Sequence, residues 1–254
     1  MKLKRKTAIV TGGGSGIGRA TALALGLEGA NVAIADIAVD NAQRVSEEVA
    51  ASGFGSAIAC RVDLTKKAEV EQTVQKVLEE FGQIDILVNC AGWDRLEPFI
   101  ESNEETWDKI IAINFKSVLN TVKAVLPHMI ERSAGKIINI ASDAGRVGSS
   151  WEAVYSGTKG AVIAFSKTLA RETARYGINV NVVCPGMTDT PLMQAIREQS
   201  EKTAKIVDAV IKATPFRRAA KPEEIAAMVV FFASNDSDFM TGQTVSVDGG
   251  LTMA

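Results

Sequence analysis

Tyr155 and Lys159 stand four residues apart in Tyr155-Ser156-Gly157-Thr158-Lys159, a spacing that puts both side chains on one face of a helix. A free phenol ionises at about pH 10, too high for proton transfer at neutral pH, and a neighbouring ammonium favours the phenolate. A Tyr-x-x-x-Lys pair is therefore a way to pass a proton to or from an alcohol or ketone oxygen. Ser142 follows a β-branched run and can donate to such an oxygen as charge develops on it. Asn114 lies in a helical pattern among Ile110, Ile111, Ile113 and Phe115. A buried amide there needs partners, and a bound water is the natural one.

A second constellation lies near the start. Thr11-Gly12-Gly13-Gly14-Ser15-Gly16-Ile17-Gly18 follows one apolar run and opens a helical one. Glycines let the backbone approach a pyrophosphate, and a helix N-terminus supplies N–H groups and positive potential. Gly12, Ser15, Gly16, Ile17 and Gly18 are the expected contacts, although Gly12-x-x-x-Gly16-x-Gly18 departs from the common Gly-x-Gly-x-x-Gly spacing. Asp36 closes the second apolar run, where a carboxylate accepts ribose hydroxyls and repels a 2′-phosphate. Ser15 is not basic, Ile37 follows Asp36, and no arginine or lysine is placed for the extra phosphate, which favours NAD over NADP.

These residues need a scaffold, and the hydrophobic pattern supplies one. Short strand-like runs are expected at Thr7–Val10, Asn31–Asp36, Ala57–Val62, Ile84–Asn89, Lys136–Ile140, Asn179–Val183 and Thr244–Val247. Helical patterns lie between them at Gly16–Glu28, Asn41–Ala51, Lys66–Phe81, Glu104–Glu131, Trp151–Tyr176 and Pro222–Ala233. Such alternation predicts βαβ units and an α/β, doubly wound parallel seven-stranded sheet with helices on both faces, a Rossmann fold. Ligands then bind at the carboxyl ends of the strands. With no repeat and no linker, the expectation is one catalytic domain over residues 1–254. The polar helical segment at about 188–216 reads as a lid over the substrate.

Composition narrows the classes. The chain has 254 residues, 46% hydrophobic and 23% charged, with a net charge of −2, so no general electrostatic grip on nucleic acid is expected. No apolar stretch is expected to span a membrane, and the early apolar run is too short for a secretion signal, so a cytoplasmic location is the default. Cys60, Cys90 and Cys184 are too scattered for a disulfide framework or a zinc site, and no metal is expected. The only histidine, His128, follows Pro127 and reads as a surface or helix-end residue. With no Gly-x-Ser-x-Gly elbow, a Ser-His-Asp hydrolase is disfavoured.

The Thr11–Gly18 loop combines with Asp63, Asn89-Cys90-Ala91-Gly92, Asn114, Ser142, Tyr155 with Lys159, and Pro185-Gly186 followed by Thr188. In that combination the chain resembles the short-chain dehydrogenase/reductase family over essentially its whole length. The resemblance implies that Asp63 and Leu64 hold an adenine and that Asn89 supports the Ala91-Gly92 loop beside the cofactor. Ser142 would steady the substrate oxygen, and Tyr155 would exchange its proton. Lys159 would bind the nicotinamide ribose and depress the phenol, Asn114 would hold a relay water, and Thr188 would fix the carboxamide. The family usually has a second Asn where this chain has Cys90. A homotetramer is implied, with the Glu104–Glu131 and Trp151–Tyr176 helices at an interface.

The substrate stays open at this point. Ala91-Gly92-Trp93-Asp94, Ile140 to Ser150, Val183 to Thr190 and the ending Gly249-Gly250-Leu251-Thr252 resemble members that oxidise a ring β-hydroxyacyl-CoA with NAD. Trp93 would then pack on the carbocycle, and Arg146, Arg217 or Arg218 would face CoA phosphates. The alternatives are a 3-oxoacyl thioester reductase, a small secondary-alcohol or polyol dehydrogenase and, from another class, a non-catalytic NAD-responsive regulator.

Overall fold

The computed structural model describes residues 1–253. Its strands are β1 (Thr7–Thr11), β2 (Asn31–Asp36), β3 (Ala57–Arg61), β4 (Ile86–Asn89), β5 (Gly135–Ile140), β6 (Ile178–Pro185) and β7 (Thr244–Val247). They form one parallel sheet ordered β3-β2-β1-β4-β5-β6-β7, so the expected doubly wound fold is present. The order reverses beside β1, which opens a crevice at the carboxyl ends of β1 and β4.

Adjacent strand residues face opposite layers, because side chains alternate across a pleated sheet. Ile9, Leu87, Ile137 and Val182 join one core with α3 (Lys67–Phe81), α5 (Ser117–Arg132) and α7 (Ala153–Thr173). Their successors Val10, Val88, Ile138 and Val183 join the other, with α1 (Gly16–Leu27), α2 (Val39–Ala51) and α10 (Pro222–Ala233). Burial on both faces explains the nearly continuous apolar strands. The remaining helices are α4 (Glu104–Ile111), the short α6 (Ala144–Val147), α8 (Pro191–Glu198) and α9 (Glu201–Ala213).

The structure amends several expectations. The Glu104–Glu131 helix is interrupted by a π-turn at Ala112–Lys116, which carries Asn114. The run Glu104–Arg132 is long and apolar enough by composition to cross a membrane, an 18-residue window within it reaching a mean hydropathy of 1.2. Its Val118, Val122, Val125 and Met129 instead pack into the core under the sheet. The Trp151–Tyr176 pattern becomes helical only at Ala153 and tightens into a 3₁₀ turn over Ala174–Tyr176. His128 lies inside α5, not at an end, and its Nε2 accepts the Ile84 N–H at 3.2 Å.

A buried polar chain fastens β4 and β5 to their covering helices. Asn89 Nδ2 donates to Asn139 Oδ1 at 2.8 Å, and Thr121 Oγ1 donates to Asn89 Oδ1 at 2.7 Å. Asn139 Nδ2 donates to Ser166 Oγ at 2.8 Å. Asn139→Ala leaves the Asn89 amide short of a partner inside the protein and should cost ~1–3 kcal/mol, read as a lower urea midpoint.

Candidate active site

Thr11, at the end of β1, staples two loops: its Oγ1 accepts the N–H groups of Cys90 at 3.0 Å and Ala91 at 3.2 Å. The contact brings the glycine loop against the Ala91 backbone. Gly12 has φ 61°, and a Cβ on it would come within 2.8 Å of Ala91 Cα. A Cβ on Gly18 would lie 2.0 Å from the Gly12 carbonyl oxygen. Ser15 precedes α1 without a side-chain cap, so its hydroxyl does not compete for the first-turn N–H groups of residues that border the cavity. This is an anion cradle of the kind a pyrophosphate requires.

Asp36 is fixed at the rim. Its Oδ2 accepts the Gly14 N–H at 2.8 Å and its Oδ1 the Ala38 N–H at 2.9 Å, leaving each oxygen further acceptor capacity for a diol. Asp63 Oδ1 accepts the Thr65 hydroxyl at 2.6 Å and the Thr65 N–H at 3.0 Å. Those bonds, the hydroxyl first, hold its carboxyl below the usual range. The Leu64 carbonyl is held by Asn120 Nδ2 at 2.9 Å. The residues present therefore fit a dinucleotide.

The reactive groups gather at the carboxyl end of the sheet, bordering a cavity of about 1030 Å³. Ser142 follows β5, while Tyr155 and Lys159 occupy one face of α7. Lys159 is 4% exposed; its Nζ donates to the Ile140 carbonyl at 3.0 Å and lies 5.5 Å from the centre of the Tyr155 ring. Burial pushes the ammonium down to about 8, partly opposed by Cys90, Cys184 and Asp94. Tyr155 departs from the expected depression. Burial, then Asp94 and Glu152, hold the phenol above its ordinary value, while Ser142 acts the other way. The phenol consequently carries its proton and is ready to donate it.

Not every expected residue borders the cavity. Gly12, Ser15, Gly16, Ile17, Gly18, Asp36, Asp63, Leu64, Ala91, Gly92, Ser142, Tyr155, Lys159, Pro185, Gly186 and Thr188 do; Asn89 and Asn114 stand behind it. Asn114 is fully buried, and its amide protons go to the Trp93 carbonyl at 2.6 Å and the Ile110 carbonyl at 2.9 Å. Its Oδ1 accepts the Trp93 N–H at 3.3 Å. The backbone of Trp93 and Ile110 thus takes up both of its amide protons. Thr188 Oγ1 donates to the Gly186 carbonyl at 3.0 Å.

The arginines proposed for phosphate recognition have other partners. Arg146 donates to Ser246 Oγ at 2.6 Å, and Arg218 grips Glu224 through two bonds of 2.6 Å. Arg217 does not border the cavity. The Cys90 side chain packs against the core, and burial pushes its thiol up to about 12. Sequence reasoning missed that Thr11 staples the two loops; the signal was a hydroxyl at the strand end before the glycines. It also missed Asp94 and Glu152, which have no motif of their own.

The lowered Lys159 has a measurable consequence. Below about 8 its ammonium is present in both folded and unfolded chains, and the fold bears the cost of burying it. As pH rises from about 8 towards the ordinary 10.5, the folded state loses the proton first and that cost disappears. Lys159→Met should therefore be more stable than the parent at pH 7 without cofactor. The advantage should shrink as pH rises through that window in denaturant titrations.

The chain is similar to known proteins over nearly its whole length. The family profile described as enoyl-(acyl carrier protein) reductase matches residues 12–252. The 3-oxoacyl-[acyl-carrier-protein] reductase of Thermotoga maritima is 37% identical over 254 residues, covering 100% of both chains. Oxidoreductase UcpA of Salmonella typhimurium is 38% identical, covering 99% of this chain and 96% of its own. Among solved structures, levodione reductase superposes with a TM-score of 0.93 at 30% identity, covering 98% of each chain. NAD⁺-bound xylitol dehydrogenase also gives 0.93, at 32% identity, covering 98% of this chain and 100% of its own. With its glycine cradle, Asp36 rim and Ser142-Tyr155-Lys159 cluster, the chain belongs to the short-chain dehydrogenase/reductase family and is an oxidoreductase acting on CH–OH groups with a nicotinamide cofactor.

Proposed function

We propose that this protein uses NAD to interconvert 3-hydroxyacyl and 3-oxoacyl thioesters. The observation that carries the reading is the convergence of Ser142, Tyr155 and Lys159 on a cavity that Asp36 borders at one end and apolar side chains border at the other. Asp36 receives the adenosine ribose diol, the α1 N-terminus the pyrophosphate, and Asp63 with Leu64 the adenine. Asn89 holds the Ala91-Gly92 loop in place, Lys159 binds the nicotinamide ribose, and Pro185, Gly186 and Thr188 hold the carboxamide end. Bound there, the nicotinamide supplies or accepts the hydride.

The protein's own groups manage the oxygen. Ser142 donates to the carbonyl, and Tyr155 gives the proton that completes the alcohol. Lys159, cationic at neutral pH, stabilises the phenolate left behind. Asn114 holds the Trp93 backbone beside that ammonium, and its remaining acceptor capacity serves a water that returns the proton. A non-catalytic regulator would have no use for this buried cation and phenol.

The thioester class is supported by relatives named 3-oxoacyl-[acyl-carrier-protein] reductase. The apolar wall of Leu192, Met193, Ile196, Val207 and Val210 on α8 and α9 suits an acyl chain, and we assign residues 188–216 as the lid over it. The relatives' names extend to the thioester class alone; within it we favour open-chain substrates, which suit this apolar wall, over the ring thioester 2-hydroxycyclohexanecarboxyl-CoA suggested by the Trp93 segment. Arg146 and Arg218, held by Ser246 and Glu224, lend no support to phosphate recognition by CoA. The outer faces of α5 and α7 are assigned to a homotetramer interface.

Following NADH oxidation should show turnover of acetoacetyl-CoA exceeding that of 2-ketocyclohexanecarboxyl-CoA; the reverse order would restore the ring substrate. Tyr155→Phe should bind NADH with unchanged affinity and lose turnover by at least ~100-fold. NADH should be preferred over NADPH, and Asp36→Ser should narrow that preference by about tenfold through loss of the diol contact and of the charge repulsion. Light scattering should report four times the mass of one chain.

A further inference from the structure

The turn that follows β7, Asp248–Thr252, brings Leu251 and Thr252 to the same cavity as the reacting groups. A short glycine-rich segment after an edge strand is ordinarily loose, and here its own contacts fix it. Asp248 Oδ1 accepts the Gly250 N–H at 2.9 Å and its Oδ2 the Thr252 N–H at 2.5 Å, so one carboxylate holds the backbone on both sides of Leu251. Gly249 and Gly250 take φ 66° and 86°, left-handed values that a residue with a side chain resists. A Cβ on Gly249 would come within 2.9 Å of Thr214 Cγ2, and one on Gly250 within 3.3 Å of Pro215 Cγ, so the turn lies against the segment after α9.

The turn is joined as closely to the exit of β6. Pro185 pairs with Val247 across β6 and β7, and the Gly186 N–H donates to the Val247 carbonyl at 3.1 Å. A Cβ on Gly186 would lie 2.8 Å from Asp248 Cβ, so these two residues are in direct contact. Leu251 is therefore carried by the edge of the sheet, whereas Met193, Ile196, Val207 and Val210 reach the cavity from α8 and α9. Val210 and Ala213, on the last turns of α9, border the cavity just before the Thr214–Pro215 segment that the turn abuts. A sheet-borne apolar side chain thus stands on the same side of the cavity as the apolar face of the lid.

We propose that Leu251 is the fixed wall of the acyl pocket, against which α8 and α9 close on an aliphatic chain, and that Asp248 is the positioning residue that holds it there. The inference rests on the thioester reading of the site and narrows its substrate class to 3-oxoacyl thioesters whose chain runs several carbons beyond the ketone. Leu251 is only half-buried, so part of its apolar surface is open to a ligand. A four-carbon acyl group ends at the methyl beside its ketone and leaves that surface in water. A longer chain covers it, and apolar area leaves water on both sides of the contact.

The test follows NADH oxidation with the N-acetylcysteamine thioesters of 3-oxobutanoate and 3-oxooctanoate. The parent protein should favour the eight-carbon acyl group by about tenfold or more in kcat/KM. Leu251→Ala should reduce that ratio by at least about threefold, mainly through KM for the longer substrate, and Leu251→Met, of similar volume, should keep it. Asp248→Ala should lower the ratio as Leu251→Ala does, and Asp248→Asn, with one acceptor oxygen left, should fall between. Combining Asp248→Ala with Leu251→Ala should do no more than either alone, since both act through one contact. Each ratio is taken within one variant, so a loss of folded protein does not imitate the effect. A parent ratio near one, or a ratio that Leu251→Ala leaves unchanged, overturns the wall and leaves the thioester reading standing. Asp248→Ala with the parent's ratio overturns the positioning role. Absence of turnover on both thioesters, with NADH still bound, overturns the thioester reading and the wall with it.

Discussion

A buried ammonium organises the reacting end of this protein. Lys159 is nearly inaccessible, and a charge in such a place is costly unless it is hydrogen-bonded. The Ile140 carbonyl at the end of β5 supplies a fixed acceptor, so the cation ties α7 to the carboxyl edge of the sheet. That bond requires α7 to approach the turn after β5 closely. Gly145 permits it, since a Cβ there would lie 2.6 Å from the Lys159 carbonyl carbon. Tyr155, one turn earlier on α7, is carried to the same edge where Ser142 emerges.

The titrating groups around that cation share one constraint. Burial favours the neutral form of each, lowering Lys159 and raising Tyr155, Asp94, Cys90 and Cys184. Such an arrangement keeps a protonated phenol beside a cation that is ready to stabilise its phenolate. The expected depression of the phenol by Lys159 neglected burial and the two acids nearby. Proximity in sequence set the Tyr155–Lys159 pair, but solvent exclusion and Asp94 set the sign of the shift.

The second constraint is close backbone contact at the dinucleotide cradle. Thr11 gathers the loops after β1 and β4, and Gly12 lets them meet. Behind them, Asn89 is bound to Asn139 and Thr121, which makes the floor under the Ala91-Gly92 loop rigid. Cys90 joins the loop contact through its backbone N–H, held by Thr11. The thiol itself fills apolar space.

Much of this architecture was legible in the residues. β2 and β7 lie where the sequence predicted them: β2 is an apolar run buried on both faces, and the half-buried edge strand β7 alternates Thr and Ser with Val. The glycine loop, Asp36 and the Tyr155–Lys159 spacing were legible for a similar reason: each is a local pattern with a local consequence. The π-turn at Asn114 was not, since it depends on amide bonds to Trp93 and Ile110 that only packing creates. The Asn89–Asn139–Ser166 chain and the Asp94–Glu152 pair join residues remote in sequence, so no spacing announced them. The sequence by itself determined the βαβ order, the glycine loop and the pairing of Tyr155 with Lys159 on one helix face, because periodicity and short motifs encode local geometry. Tertiary structure alone decided which polar groups are satisfied and which protons stay on, because burial and long-range contacts set those energies.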